Sequence, residues 1–125
     1  NIPFVDAGGA CAIVHSDSEM GIQRLNQEAA KALADGNRAG LNISRAQAWT
    51  WLSRNPARAL HIEGETGTLA AGLRADVVVW SADPLSSYAV AERVYMDGAL
   101  IYERGRPGEP ASDFELGQTY RERGQ

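Results

Sequence analysis

The side chains that most often build metal centres and nucleophilic sites are scarce in this chain. It holds one cysteine, Cys11, and two histidines, His15 and His61, among 125 residues. A single cysteine excludes an intrachain disulfide and a thiolate metal cluster. Its place in an apolar stretch predicts a buried structural thiol rather than a reactive one. Lysine is equally rare: Lys31 stands alone against eleven arginines, which reflects composition more than a site. The net charge of −4 lacks the concentrated basic face that nucleic acid requires. No apolar run approaches the ~20 residues of a membrane-crossing helix. A soluble protein is expected, with no nucleic-acid or membrane partner and with its compartment open.

What is present is an ordinary globular composition, 44% hydrophobic and 22% charged, enough for one domain with a modest core. The most informative stretch is Ala12-Ile13-Val14-His15-Ser16-Asp17. Its short run of small and branched apolar residues predicts a strand covered on both faces, ending in a carboxylate. The ends of such strands are where α/β enzymes place their chemistry. Alternation puts Asp17, His15 and Ile13 on one face. An Asp before a helical stretch is also a favoured N-cap, so the residues alone leave both roles open for Asp17.

Beyond Asp17 the pattern turns helical. Ile22, Leu25, Ala29 and Leu33 follow helical spacing, and Asp35-Gly36-Asn37 predicts the stop. Ser44 with Gln47 predicts a capping box opening a second helix, which carries Ala48, Trp51 and Leu52 inward. Asn55-Pro56 predicts the cap of a third, short helix packing through Ala59-Leu60. From Gly64 the character is β: Gly67 to Ala70, Ala75 to Trp80, then Glu92 to Met96 and Ala99 to Glu103 joined by Asp97-Gly98. The residues from Gly105 on, with Arg121-Glu122-Arg123, read as an extended, solvated arm. One early strand without sheet neighbours predicts a piece of something larger.

Three stretches in this order resemble the C-terminal part of a metal-dependent amidohydrolase of the imidazolonepropionase-like and prolidase-like branch. Ala12 to Glu19 is similar to that family's last barrel strand with its Ser-Asp-Ser. Asn55-Pro56-Ala57-Arg58-Ala59-Leu60 resembles its Asn-Pro-Ala turn. Gly67-Thr68-Leu69 through Gly72 to Ala75-Asp76 and Val77-Val78-Val79-Trp80 matches its Gly-x-Leu, Gly and Ala-Asp pattern, and Val94 to Gly98 its closing strand pair. The likeness spans roughly residues 8 to 118.

The resemblance implies an α/β fold class: the last strand and helices of a (β/α)8 TIM barrel plus the C-terminal part of a composite β-sandwich. The divisions would be 1–63 for the barrel strand and helices, 64–104 for the sandwich strands and 105–125 for the arm. It implies hydrolysis of a C–N bond in a cyclic amide or dipeptide-like small molecule, with one or two zinc-type divalent ions in the complete enzyme. Asp17 would be metal ligand, general acid/base and proton shuttle, with His15 and Ser18 near substrate or behind the ligands. His15 stands where the family often has Gly, and Leu73 where it commonly has Lys. The family's remaining ligands, a His-x-His pair, a Lys or Glu and two further His, have no counterparts here. This chain alone is therefore expected to hold no metal and to be inactive. Its expected partner is the remainder of the barrel, with homo-oligomerisation open.

The bland readings stand beside these. His61, Ser18 and Glu19 suit structural roles, the last two at the positive end of a helix. Asp76 suits a hydrogen bond at strand entry. Trp49, Trp51 and Trp80 suit core or inter-domain packing. The alternative to a catalytic piece is a non-catalytic β-sandwich interaction module completing another chain.

Overall fold

A computed structural model describes residues 1–106. The expected arm and Arg121-Glu122-Arg123 lie almost entirely outside the described residues. Four helices precede a three-stranded antiparallel sheet: α1 Ile2–Ala7, α2 Leu25–Arg38, α3 Arg45–Thr50 and α4 Arg54–Ala59, then β1 Val77–Trp80, β2 Ala91–Met96 and β3 Ala99–Glu103. A 3₁₀ turn at Ile22–Arg24 leads into α2.

The helix α2 forms where the periodicity predicts it, burying Ala29 and Leu33, but it runs through Asp35-Gly36-Asn37 instead of stopping there. Its stop is Gly40, at φ 86°, where the Leu41 and Gly40 amides donate to the Gly36 and Asn37 carbonyls. This is the paired closure in which a left-handed residue ends a helix. Gly36 serves packing: a Cβ there would come within 2.6 Å of Pro3 Cβ and 3.0 Å of Ile43 Cδ1. Asn37 holds the following loop, accepting from the Ile43 amide at 2.6 Å and donating to the Ile43 carbonyl at 3.0 Å. The helix α1, which the pattern did not predict, uses this contact to bury Pro3.

Ser44 caps α3 as expected, its hydroxyl accepting from the Gln47 amide at 3.1 Å. The reciprocal half of the box is absent, since the Gln47 amide group donates to Asp6 at 2.6 Å instead. For α4 the cap position is Ser53, and Asn55 lies inside the helix with its side chain buried. Ala57 is the buried apolar residue of this helix, whereas Ala59 and Leu60 are exposed.

Ala12, Val14, Ala29, Leu33, Ile43, Ala48, Trp51 and Leu85 form the core. Leu85 comes from the loop between β1 and β2, so that loop ties the sheet to the helices. Asn26 donates to the Pro84 carbonyl at 2.8 Å, Arg45 pairs with Asp83, and Trp49 meets Trp80 edge-to-face at 6.3 Å. The packing roles expected of the three tryptophans are those observed. Trp51 is fully buried, with its indole N–H unpartnered.

The hairpin turns at Asp97-Gly98, both at positive φ (51° and 81°), as a two-residue turn between twisted strands requires. β1 pairs with β2 from Val77↔Tyr95 to Trp80↔Ala91, with a register irregularity at Val79/Trp80. No residue of the three strands is buried, and Val78, Val79, Met96, Leu100, Ile101 and Tyr102 are exposed. Residues Gly67 to Ala70 form no strand. Gly67 lies against α4, where a Cβ on it would meet Ala57 Cβ at 2.6 Å, while Thr68 to Ala70 are exposed.

Candidate active-site segment

The expected strand at Ala12 to Ser16 is not formed: these residues have no regular secondary structure and pair with no strand among the described residues. A strand covered on both sides needs two neighbours, and the three described strands pair only with one another. The segment is held instead by the helices. Val14 N–H donates to the Trp51 carbonyl at 3.1 Å, and Asn55 Nδ2 donates to the Ala12 carbonyl at 2.8 Å in a buried setting. Ala12 and Val14 are buried in the core, as the apolar run requires. Cys11 is exposed, contrary to the expected buried thiol, and its Sγ reaches the Asn55 carbonyl at 3.5 Å. Burial alternates along this stretch, with Ala12 and Val14 inward and Ile13 half-buried, and Cys11 falls on the outward side.

Beyond Val14 the chain leaves the core in a small knot. Ser16 Oγ accepts from the Ser18 amide at 3.1 Å and donates to the Ser18 carbonyl at 3.2 Å. Ser18 Oγ in turn accepts from the Gly21 amide at 3.2 Å. A Cβ on Gly21 would stand 2.6 Å from Ser16 Oγ, so the bare glycine makes room for this knot. Asp17 sits at its apex, bracketed by two serines and free of any capping bond.

Alternation along the segment brings His15 and Asp17 together as expected. His15 Nδ1 lies 3.6 Å from Asp17 Oδ1, and the side chains are 74% and 98% exposed. An imidazole and a carboxylate this open to water attract one another only weakly, so the pair is not a stabilising bridge and both groups face solvent. Ser18 is committed to the loop, and His61 ends α4 far from this couple in sequence, at φ 57°. The helix-cap role for Asp17 is not the one observed: α2 starts at Leu25, behind the 3₁₀ turn.

No group of three or more His, Cys, Asp or Glu side chains among the described residues is placed to hold a metal ion. His15 and Asp17 offer at most two donors, short of the three protein ligands that catalytic zinc takes. These residues do not make a metal centre by themselves.

The second acidic position, Asp76, is structural. Its Oδ1 accepts from the Asp97 amide in the hairpin turn and its Oδ2 from the Thr66 hydroxyl, both at 2.9 Å. The Asp97 amide, then the Thr66 hydroxyl, hold this carboxyl below its ordinary value, with Arg74 adding a smaller attraction against the cost of desolvation. The strand-entry role expected from the sequence is the one seen.

The order of helices followed by an antiparallel hairpin has counterparts among known proteins. A model of the Amidohydrolase family matches residues 15–102, and the chain belongs to that family. The crystal structure of an amidohydrolase from Thermotoga maritima MSB8 is similar in fold, with a TM-score of 0.69 and 26% identity over 83% of this chain. The chain spans 27% of that structure's length. No curated protein matches the chain. Among the described residues no helix is long and apolar enough to cross a membrane.

The sequence does not single out Asn55 or Gly21 as parts of this segment. Asn55 read as a helix cap because Asn before Pro is a common cap. Nothing local signals a hydrogen bond to a residue 43 positions away.

Proposed function

We propose that this chain is the C-terminal part of a metal-dependent amidohydrolase that hydrolyses a C–N bond in a cyclic amide or dipeptide-like molecule. Residues 1–63 would supply the last strand and helices of a (β/α)8 barrel, and 64–104 strands of a composite β-sandwich. The observation that carries this reading is Asp17: it lies within the family match, at the apex of an anchored segment, with its carboxylate open. Asp17 would be one carboxylate ligand of a zinc-type divalent centre completed by side chains on other polypeptide. In that setting the same carboxylate accepts a proton from the attacking water and passes it to the leaving nitrogen. His15, 3.6 Å away, is placed to support it. The chain alone would then be inactive.

The test uses the longer polypeptide carrying this chain, supplied with zinc, cobalt or manganese and assayed on hydantoin and glycyl-proline for release of a new carboxylate. Hydrolysis of at least one probe is expected, with Asp17→Asn lowering turnover by roughly 10²–10⁴-fold, the range for losing one acid/base group. Wild-type turnover in that variant would remove Asp17 from the chemistry. No hydrolysis of either probe under all three metals would overturn the C–N assignment.

A second reading, a packing module that completes another chain without catalysis, is favoured by the exposed apolar side chains of the sheet. It predicts that the chain binds a barrel fragment while Asp17→Asn leaves turnover unchanged.

A further inference from the structure

Among the described residues the Asp17 carboxylate pairs only with His15, so its own contacts do not place it. Its position is inherited from the segment behind it. That segment has no strand ladder to fix its register, because it pairs with no strand among the described residues. What fixes it is the end of α3 and the start of α4, which hold three positions: Cys11 through the Asn55 carbonyl, Ala12 through Asn55 Nδ2, and Val14 through the Trp51 carbonyl.

Asn55 makes two of these three contacts, one from its backbone and one from its side chain, and it is 8% exposed. The side-chain bond is the one a substitution can remove without touching the backbone. It satisfies a carbonyl next to fully packed core, where an unmet acceptor is costly. From Val14 the path to Asp17 is three residues long and is tightened by the Ser16–Ser18 hydrogen bonds, so displacement at Ala12 is passed on rather than absorbed.

We infer that Asn55 is the positioning residue for Asp17: its buried amide, bonded to the Ala12 carbonyl, sets the register of the 11–17 segment and through it the place of the carboxylate. This rests on the role proposed above for Asp17, although the anchoring itself does not.

Two measurements test it. In the full 125-residue chain, amide hydrogen exchange is followed in wild type and Asn55→Ala. The Val14 amide, which donates to the Trp51 carbonyl, should exchange roughly tenfold faster or more, the scale of leaving one buried acceptor without its donor. The α2 amides should change much less. Equal acceleration in α2 and in the segment would mean that Asn55 merely stabilises the whole fold, and no acceleration in the segment would mean it anchors nothing; either overturns the inference. If Asn55→Ala unfolds the chain, Asn55→Ser, which keeps a shorter donor, gives the same comparison.

In the longer polypeptide, Asn55→Ala should lower kcat on the accepted probe at least tenfold while KM stays within about twofold, since it moves the acting group and not the binding surface. A loss confined to KM would overturn the positioning role. Should Asp17→Asn retain wild-type turnover, the reading of Asp17 fails, whereas the exchange result still reports on the anchor. Should Asp17→Asn be inactive and Asn55→Ala fully active, the reading of Asp17 stands and the positioning role falls.

Discussion

Gly36 and Pro3 pack so closely that a Cβ on the glycine would stand 2.6 Å from the proline Cβ. The contact explains both a glycine within α2 and the seat of α1, whose buried residue is Pro3. Gly36→Ala sets two effects against each other. Alanine gains about 1 kcal/mol of helix propensity, while overpacking a filled contact costs about 1–3 kcal/mol. The proline ring cannot rotate away as the Ile43 methyl can, so the cost should win by about 1 kcal/mol. Urea denaturation measures it, and a stabilised variant would show that α1 shifts freely.

His61 holds the position that Gly40 holds at the end of α2. At φ 57° it closes α4, its amide and that of Ile62 donating to the Arg58 and Ala57 carbonyls. A left-handed conformation costs a side chain about 1–2 kcal/mol, and glycine's greater freedom in the unfolded chain gives back about 0.5–1 kcal/mol. His61→Gly should therefore stabilise the chain by about 0.5–1 kcal/mol in the same denaturation assay. A loss of stability would mean that the imidazole makes a contact worth more than the strain.

Asp76 links pH to the hairpin. Its carboxyl is held below the ordinary value by the Asp97 amide first and the Thr66 hydroxyl second. A lowered carboxyl pKa contributes stability that is present above the unfolded value of 3.8 and is lost as pH falls through the folded value. In Asp76→Asn that contribution is gone at every pH. The variant should be the less stable at pH 7, and the gap should close as the pH drops below about 4. Thermal melts across pH 2.5–7 would reveal it; parallel curves for the two proteins would remove Asp76 from the acid response. Arg45 does for Asp83 what Asp97 does for Asp76, so some acid sensitivity should remain in the variant.

Legibility in the sequence followed the range of the interaction. The α2 periodicity, the Ser44 cap, the Asp97-Gly98 turn and the strands β1 to β3 depend on neighbours within a few residues, and each formed where the pattern placed it. The stop of α2 was misplaced because Gly36 and Gly40 look alike locally, and only the approach of Pro3 distinguishes a packing glycine from a terminating one. Asn55 was misread for the same reason, since its partner Ala12 is remote. The Ala12 to Ser16 run has the composition of a strand, but strand formation requires a partner, and the three described strands pair only with one another.

Local pattern was enough to single out His15 and Asp17 as candidates for chemistry and to point to the family that the chain belongs to. His15 and Asp17 two positions apart, with the Gly67 to Trp80 pattern downstream, needed only spacing and order. Tertiary structure alone decided how Asp17 is presented. Its carboxylate stands open at the tip of a segment fixed by a buried amide from α4, because the backbone groups of an unpaired segment must be satisfied by whatever packs beside it.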